Sequence, residues 1–320
     1  MGFVLLDELS RASADEAAVL LAGADPVELI DAVRSTPDLA LVALIERDEI
    51  LPALTAGIMG RLDDVVEPDA LTGITGTARL DLEHRGRLVG HHELRVTDGA
   101  LGHQVDVPAD HPATVVLRTT ALRFVRLVSG ELNAGLEYLG GTLDIIGDAH
   151  LALALGGMFR SARDHGARVD PRALDPVEVA GVLGRVSADH LRSVMASDFR
   201  HVVLDEVFRR LPAFVNVRKA SGLRLTVGFR ITGRPDGEVD RYVVTLADNR
   251  ATVTSGPAVE ALGAEARNAT VTCDACDFLR LVTGHIGAVT GVLRGQLKVR
   301  GDKTAALRLN SAFDIPTAVA

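Results

Sequence analysis

Polar and apolar residues alternate from Ala78 to Glu83, placing Leu80 and Leu82 on one face, and again through His92, Leu94 and Val96. This is the period of a strand with one covered side. Asp98-Gly99 then signals a tight hairpin. Leu101, His103, Val105 and Val107 continue as the return strand, and Ala113 to Leu117 forms a fourth. The pattern recurs further on. Leu225, Val227, Phe229 and Ile231 alternate, followed by Tyr242, Val244 and Leu246, a turn at Asp248-Asn249, and strands at Ala251–Thr254 and Ala269–Thr272. Each strand set is preceded by helical spacing that opens on the same device. In Asp25-Pro26-Val27-Glu28 and in Asp175-Pro176-Val177-Glu178, an Asp stands at the N-cap, Pro at the first helical position and Glu at the third. Helices are predicted over about 39–44 and 50–62 in the first set. In the second they run over about 190–195 and 200–211, with Val203, Val207 and Leu211 on one stripe.

Beyond each set of strands the chain is duplicated. Residues 117–159 and 271–313 align without a gap, with 16 identities in 43 positions. Asp274 is placed to cap a helix carrying Phe278, Leu281 and Val282, and Gly284 to close it. Leu297 and Val299 face inward on a strand that begins after Gly295, while Lys298 and Arg300 face outward. Gly301-Asp302 ends that strand and caps a last helix whose apolar face includes Ala305, Leu309, Ala312 and Phe313. The predicted fold class is α+β: two tandem domains, each a helical preface followed by a mostly antiparallel five-stranded sheet covered by helices. The expected boundaries are an N-terminal extension over 1–22, a first repeat over 23–160, a polar linker over 161–172 and a second repeat over 173–320.

Composition narrows the function. The chain has 320 residues, 47 % of them hydrophobic, with no Trp and two Tyr, so the cores must be mainly aliphatic. A formal net charge of −9 argues against a phosphate-backbone partner, which is bound through released counterions. Two cysteines point to a reducing compartment without a disulfide framework. No apolar run approaches the ~20 residues of a membrane span, and the N-terminus lacks the basic start of a signal peptide. The cytoplasm is the expected location.

The run Phe278-Leu279-Arg280-Leu281-Val282-Thr283-Gly284, followed by Gly295-Gln296-Leu297-Lys298-Val299-Arg300-Gly301-Asp302 and a helix ending at Phe313, resembles the C-terminal half of the sterol carrier protein type 2 domain. Ser129-Gly130 and Gly141-Thr142-Leu143-Asp144-Ile145-Ile146-Gly147-Asp148 match more loosely. The resemblance covers roughly 50–160 and 200–320, and the helical prefaces look like those of actinobacterial members. It implies an apolar tunnel between sheet and helices, non-covalent binding of sterols, fatty acyl chains or other lipids, and no cofactor. It also leaves room for transient membrane contact, with no obligate protein partner.

The candidate pocket residues are therefore the inward aliphatics and phenylalanines. In the first repeat these are Leu80, Leu82, Leu94, Phe124, Leu127, Val128, Leu143, Ile145, Leu155, Met158 and Phe159. In the second they are Leu225, Val227, Phe229, Val244, Phe278, Leu281, Val282, Leu297, Val299, Leu309 and Phe313. The same residue types serve plain packing equally well. His84, His92 and His103 share parity with the covered face and are a candidate polar element of the first pocket, with matches at Phe229, Tyr242 and Val253; His91 and Glu93 have the opposite parity and are expected in solvent. Cys273 and Cys276 form a Cys-x-x-Cys at a helix start, where a thiol can be activated. Thr119 and Leu122 hold the matching places, so two small core residues are the better reading. No nucleophile elbow, Walker loop or zinc-protease motif is present. The expectation is a carrier with one ligand per repeat and no catalytic or metal site. The alternatives are an enzyme using the first-repeat histidines and a non-binding scaffold.

Overall fold

The computed structural model describes residues 2–66, 68–159, 169–263 and 265–314. The chain divides into two compact units, 1–171 and 172–320. Most of the expected linker, 161–168, lies outside the described residues.

In the first unit, strands β1 (Gly76–His84), β2 (Arg87–Thr97), β3 (Ala100–Gln104), β4 (Val115–Thr120) and β5 (Leu143–Gly147) form a sheet in the order β3-β2-β1-β4-β5. In the second, β6 (Leu225–Thr232), β7 (Asp240–Ala247), β8 (Arg250–Ser255), β9 (Ala269–Asp274) and β10 (Leu297–Gly301) repeat it as β10-β9-β6-β7-β8. Both sheets are antiparallel except at one pairing, β1 with β4 and β6 with β9. Type I′ hairpins account for the tight turns: Asp98 and Gly99 have φ of 51° and 82°, Asp248 and Asn249 of 51° and 60°. The match of β1 to β6 in their parallel pairings sets His84 against Gly233, not Phe229. His92 and His103 do fall at Tyr242 and Val253.

The repeated Gly-Asp has a physical cause. Gly147 and Gly301 sit at φ of 107° and 85°, where a Cβ would stand 2.5 Å from the carbonyl oxygen of Thr114 and of Asn268. Only glycine fits both the conformation and the space. The Asp after each then accepts hydrogen bonds from the first turn of the closing helix, Ala149–Gly156 or Lys303–Ser311. Asp25, Asp175 and Asp274 cap their helices in the same way.

Residues 2–23 are not a separate extension. Helices Gly2–Leu9 and Ala14–Gly23 bury Leu9, Ala17 and Leu21 against Leu44, Ile50 and Leu54 in the first unit. The core of that unit joins Leu80, Leu82, Leu94, Val96 and Leu117 to Phe124, Leu143, Leu155, Met158 and Phe159.

The other face of this sheet also departs from the expectation of alternation. Glu93 is buried and His91 half-buried, because the segment between β3 and β4 lies over them: Val107 N–H donates to the His91 carbonyl, and His111 Nε2 meets the Glu93 carboxylate. Alternation assumes one solvated face, and here a loop has covered it. Asp81, buried in the same layer, bonds to Arg79 (2.9 Å) and to His91 Nδ1 (2.7 Å). Burial pushes its carboxyl up, but the Arg79 and His91 hydrogen bonds outweigh that and hold it below its ordinary value.

Candidate functional site

A cavity of about 220 Å³ lies inside the second unit. Where ~10–15 Å³ suffices for one water, this admits on the order of fifteen heavy atoms. Phe278, Leu281 and Val282 reach it from helix Ala275–Val282, with Leu297 and Val299 of β10, Val271 of β9 and Phe229 of β6. The amphipathic pattern of that helix makes this so: i, i+3 and i+4 share a side. Helix Phe199–Arg210 contributes Val203, Val207 and Phe208, and the short helix after it Leu211 and Phe214. The closing helix contributes Lys303, Ala306, Leu307, Leu309 and Asn310, ahead of Phe313.

Aromatic rings build one wall. Phe208 stacks between Tyr242 (centroids 3.8 Å) and Phe278 (5.0 Å), and Phe229 meets both phenylalanines edge-on. The Tyr242 hydroxyl donates to Asp205 at 2.9 Å, and burial, then that carboxylate, raise its pKa well above the ordinary value. Polar lining is sparse: Glu206, Arg210, Thr283, Lys303 and Asn310. Burial works against the Glu206 carboxylate, but hydrogen bonds from Arg209 and Arg210 outweigh it and keep it ionised. The Thr283 hydroxyl donates to the Leu279 carbonyl. The site can therefore enclose an apolar body and meet a polar end at few points.

The mouth is formed by two helices. Val289 and Leu293, one turn apart on helix Ala288–Leu293, line the cavity and are exposed, as is Leu307 on the closing helix. The identical leucines of the first repeat differ. Leu139 is 0 % exposed against 82 % for Leu293, and Leu153 2 % against 37 % for Leu307. Within the first unit the described cavities measure only about 70 and 50 Å³, both between helix Ala121–Val128 and the preface helices. The shift of 149 that relates β1 to β6 sets Leu80 at Phe229 and Met59 at Phe208, and the strand partner of Leu80, His92, falls at that of Phe229, Tyr242.

Of the second-repeat candidates, Phe229, Phe278, Leu281, Val282, Leu297, Val299, Leu309 and Phe313 line the cavity. Val227 and Val244 are buried in packing, and Leu225 is half-buried off the cavity. In the first repeat Leu82 and Phe124 touch the larger small cavity and Val128 the smaller; Leu127 and Ile145 pack at the core edge. Val203, Val207 and Leu211, expected only as a buried helical stripe, line the second-unit cavity too, while Phe208, Phe214, Val289, Val292, Leu293, Lys303 and Leu307 carried no expectation from the sequence. Leu293 and Leu307 carry no signal in a single copy, since their partners are identical.

The histidines form no shared site. His103 is exposed; His84 is half-buried and His92 buried, each with one ring nitrogen lacking a hydrogen-bond partner among the described residues. The His92 ring lies over Gly90, whose Cβ would meet it at 2.6 Å, and burial lowers its pKa, only partly opposed by Asp106. Among the described residues no group of three or more His, Cys, Asp or Glu is placed to hold a metal. Cys273 and Cys276 are buried and free; burial, with the neighbouring Asp277 and Asp274, pushes both thiols up to about 12. A thiol that stays protonated is a poor nucleophile.

Two family models match. Residues 58–160 match the SCP-2 sterol transfer family and residues 193–318 the alkyl sulfatase C-terminal family. No curated protein matches. Among solved structures, sterol carrier protein 2 from Yarrowia lipolytica in its apo form is 19 % identical, covering 38 % of this chain and 97 % of that one, with a TM-score of 0.29. Palmitated SCP2L2 from Aedes aegypti is 21 % identical over 32 % and 87 %, with a TM-score of 0.26. The stereoselective inverting sec-alkylsulfatase Pisa1 from Pseudomonas sp. is 16 % identical over 62 % of this chain and 32 % of that one, with a TM-score of 0.28. Residues 58–160 are thus a sterol-carrier-type domain, and the second unit repeats its sheet order. No described helix is long and apolar enough to cross a membrane.

Proposed function

We propose, from the premise that residues 58–160 form an SCP-2 sterol transfer domain and that 172–320 repeats its architecture, that this protein is a non-covalent carrier of a hydrophobic small molecule. The second repeat holds the ligand. The observation that carries this reading is the 220 Å³ apolar cavity with its open mouth in that repeat, against about 70 and 50 Å³ in the first.

Desolvation drives binding. Burying about ten methylenes at ~0.8 kcal/mol each yields ~8 kcal/mol before association costs. That corresponds to micromolar affinity at best, which suits a carrier that must also release. No covalent step is involved, and the first repeat acts as a folded partner without a comparable cavity.

Hydrogen exchange tests the assignment. A C16 fatty acid added below its micelle threshold is expected to protect residues 275–282, 288–293 and 303–311 and to leave 121–128, 134–139 and 149–156 unchanged. Protection of the first-repeat helices alone, or of neither set, overturns it.

A further inference from the structure

The two repeats share a scaffold and differ in the charge of the part that closes the cavity. From 278 to 313 there are six cations (Arg280, Arg294, Lys298, Arg300, Lys303, Arg308) and one acid, Asp302, a net +5. The ungapped counterpart, 124–159, has one cation (Arg126) and four acids (Glu131, Glu137, Asp144, Asp148), a net −3. The fold does not require the cations, since the first repeat folds without them, and they appear in a chain of net charge −9. Asp302 is occupied in capping the closing helix.

Exposed apolar side chains coincide with these charges. Val289 is 57 % and Leu293 82 % exposed at the cavity mouth, and Leu307 stands opposite on the closing helix. Arg294 follows Leu293 directly. Lys303 sits one turn before Leu307 on the same side, and Arg308 next to it on the outer side. Arg294, Lys303 and Arg308 are exposed and make no ion pair among the described residues. Lys298 and Arg300 project from the other face of the edge strand β10, whose Leu297 and Val299 face the cavity. Leucines left in water beside unpaired cations are out of place on a free surface; each half of the combination fits an interface between headgroups and acyl chains.

We propose that the mouth of the second repeat docks on an anionic lipid bilayer, Val289, Leu293 and Leu307 entering the headgroup boundary while Arg294, Lys303 and Arg308 meet lipid phosphates. This rests on the carrier reading and names the surface from which the cavity loads. The opening then faces the acyl layer, so a ligand passes between bilayer and cavity without crossing water.

The chain contains no Trp, so Leu293→Trp supplies a single fluorophore at the mouth and Leu39→Trp, exposed in the first unit, a control. Full-length protein is titrated with vesicles of phosphatidylcholine alone and with 30 % phosphatidylglycerol. The expected result is a blue shift of the Leu293→Trp emission with the anionic vesicles only, and no shift in the Leu39→Trp control. Vesicle affinity, also measured by co-sedimentation of the Trp-free protein, is expected to fall at least tenfold in 0.5 M salt and at least tenfold in Arg294→Glu/Arg308→Glu, at roughly one such cation per fivefold. Equal binding to both vesicle types, no binding, binding indifferent to the charge reversal, or a shift in the Leu39→Trp control overturns the proposal; an acidic protein as the true partner gives the second of these. Native mass spectrometry of the same samples reads ligand occupancy separately. Docking without any carried lipid refutes the carrier reading alone, and carried lipid without docking refutes this proposal alone.

Discussion

Ala306→Phe places a ring into the cavity from the closing helix, where Ala306 is half-buried and lines the space. Two consequences oppose one another in sign. If the phenyl occupies about half of the 220 Å³, a ligand loses contact for roughly five methylenes. At ~0.8 kcal/mol each that is ~4 kcal/mol, or about a thousandfold in affinity. Filling empty space also removes its cost to the folded protein. At ~24 cal/mol per Å³, filling about 100 Å³ stabilises by up to ~2.4 kcal/mol, before any strain in seating the ring. For a domain of this size that is a rise of several degrees in Tm. The assay pairs displacement of a fluorescent fatty acid with calorimetry of the unliganded protein. Affinity falling while stability holds or rises is the signature of a real void that a ligand uses. Unchanged affinity places the ligand elsewhere, and a Tm lowered by several degrees shows that the room is not there.

Gly301→Ala is expected to destabilise the second unit by ~2 kcal/mol or more, because its Cβ meets the Asn268 carbonyl at 2.5 Å in a left-handed conformation, and Gly147→Ala the first unit likewise; urea unfolding of either variant with an unchanged midpoint contradicts this. His92 has its pKa depressed by burial, so the unfolded chain binds its proton first, and stability of the first unit is lost as pH falls below ~6.5, at no more than ~1.4 kcal/mol per pH unit. His92→Leu should flatten the unfolding midpoint between pH 6.5 and 5, and an identical slope in the variant sinks the assignment. Cys273 and Cys276, pushed up to about 12, should resist a maleimide at pH 8 in the native protein and react once it is unfolded; native labelling within minutes refutes their burial.

Much of the fold was legible because its signals are local. The Asp-Pro-Val-Glu starts, the Asp98-Gly99 and Asp248-Asn249 turns and the Gly-Asp pair before each closing helix act over a few residues, and each is found in its expected role. The errors came where distant chain decides. His91 and Glu93 read as solvated by parity, and only the arrival of residues 105–114 over that face buries them. His84 lost its expected partner because a β-bulge between Leu82 and Glu83 and the parallel pairing fix the register, and neither shows in the alternation. The asymmetry between repeats was least visible. Leu139 and Leu293 are the same residue in the same motif, and a six-residue helix has too few turns to show which side faces water. The contrast that sequence did contain was electrostatic, Lys298 against Asp144 and Lys303 against Ala149, and it lies beside the mouth rather than in the apolar pattern.

Native mass spectrometry of the intact chain, purified gently enough to keep bound lipid or reloaded with a C16 fatty acid, bears most directly on the carrier reading. A single ligand per chain is expected, abolished by Ala306→Phe. An unliganded chain under every loading condition contradicts that reading, and so does a stoichiometry of two.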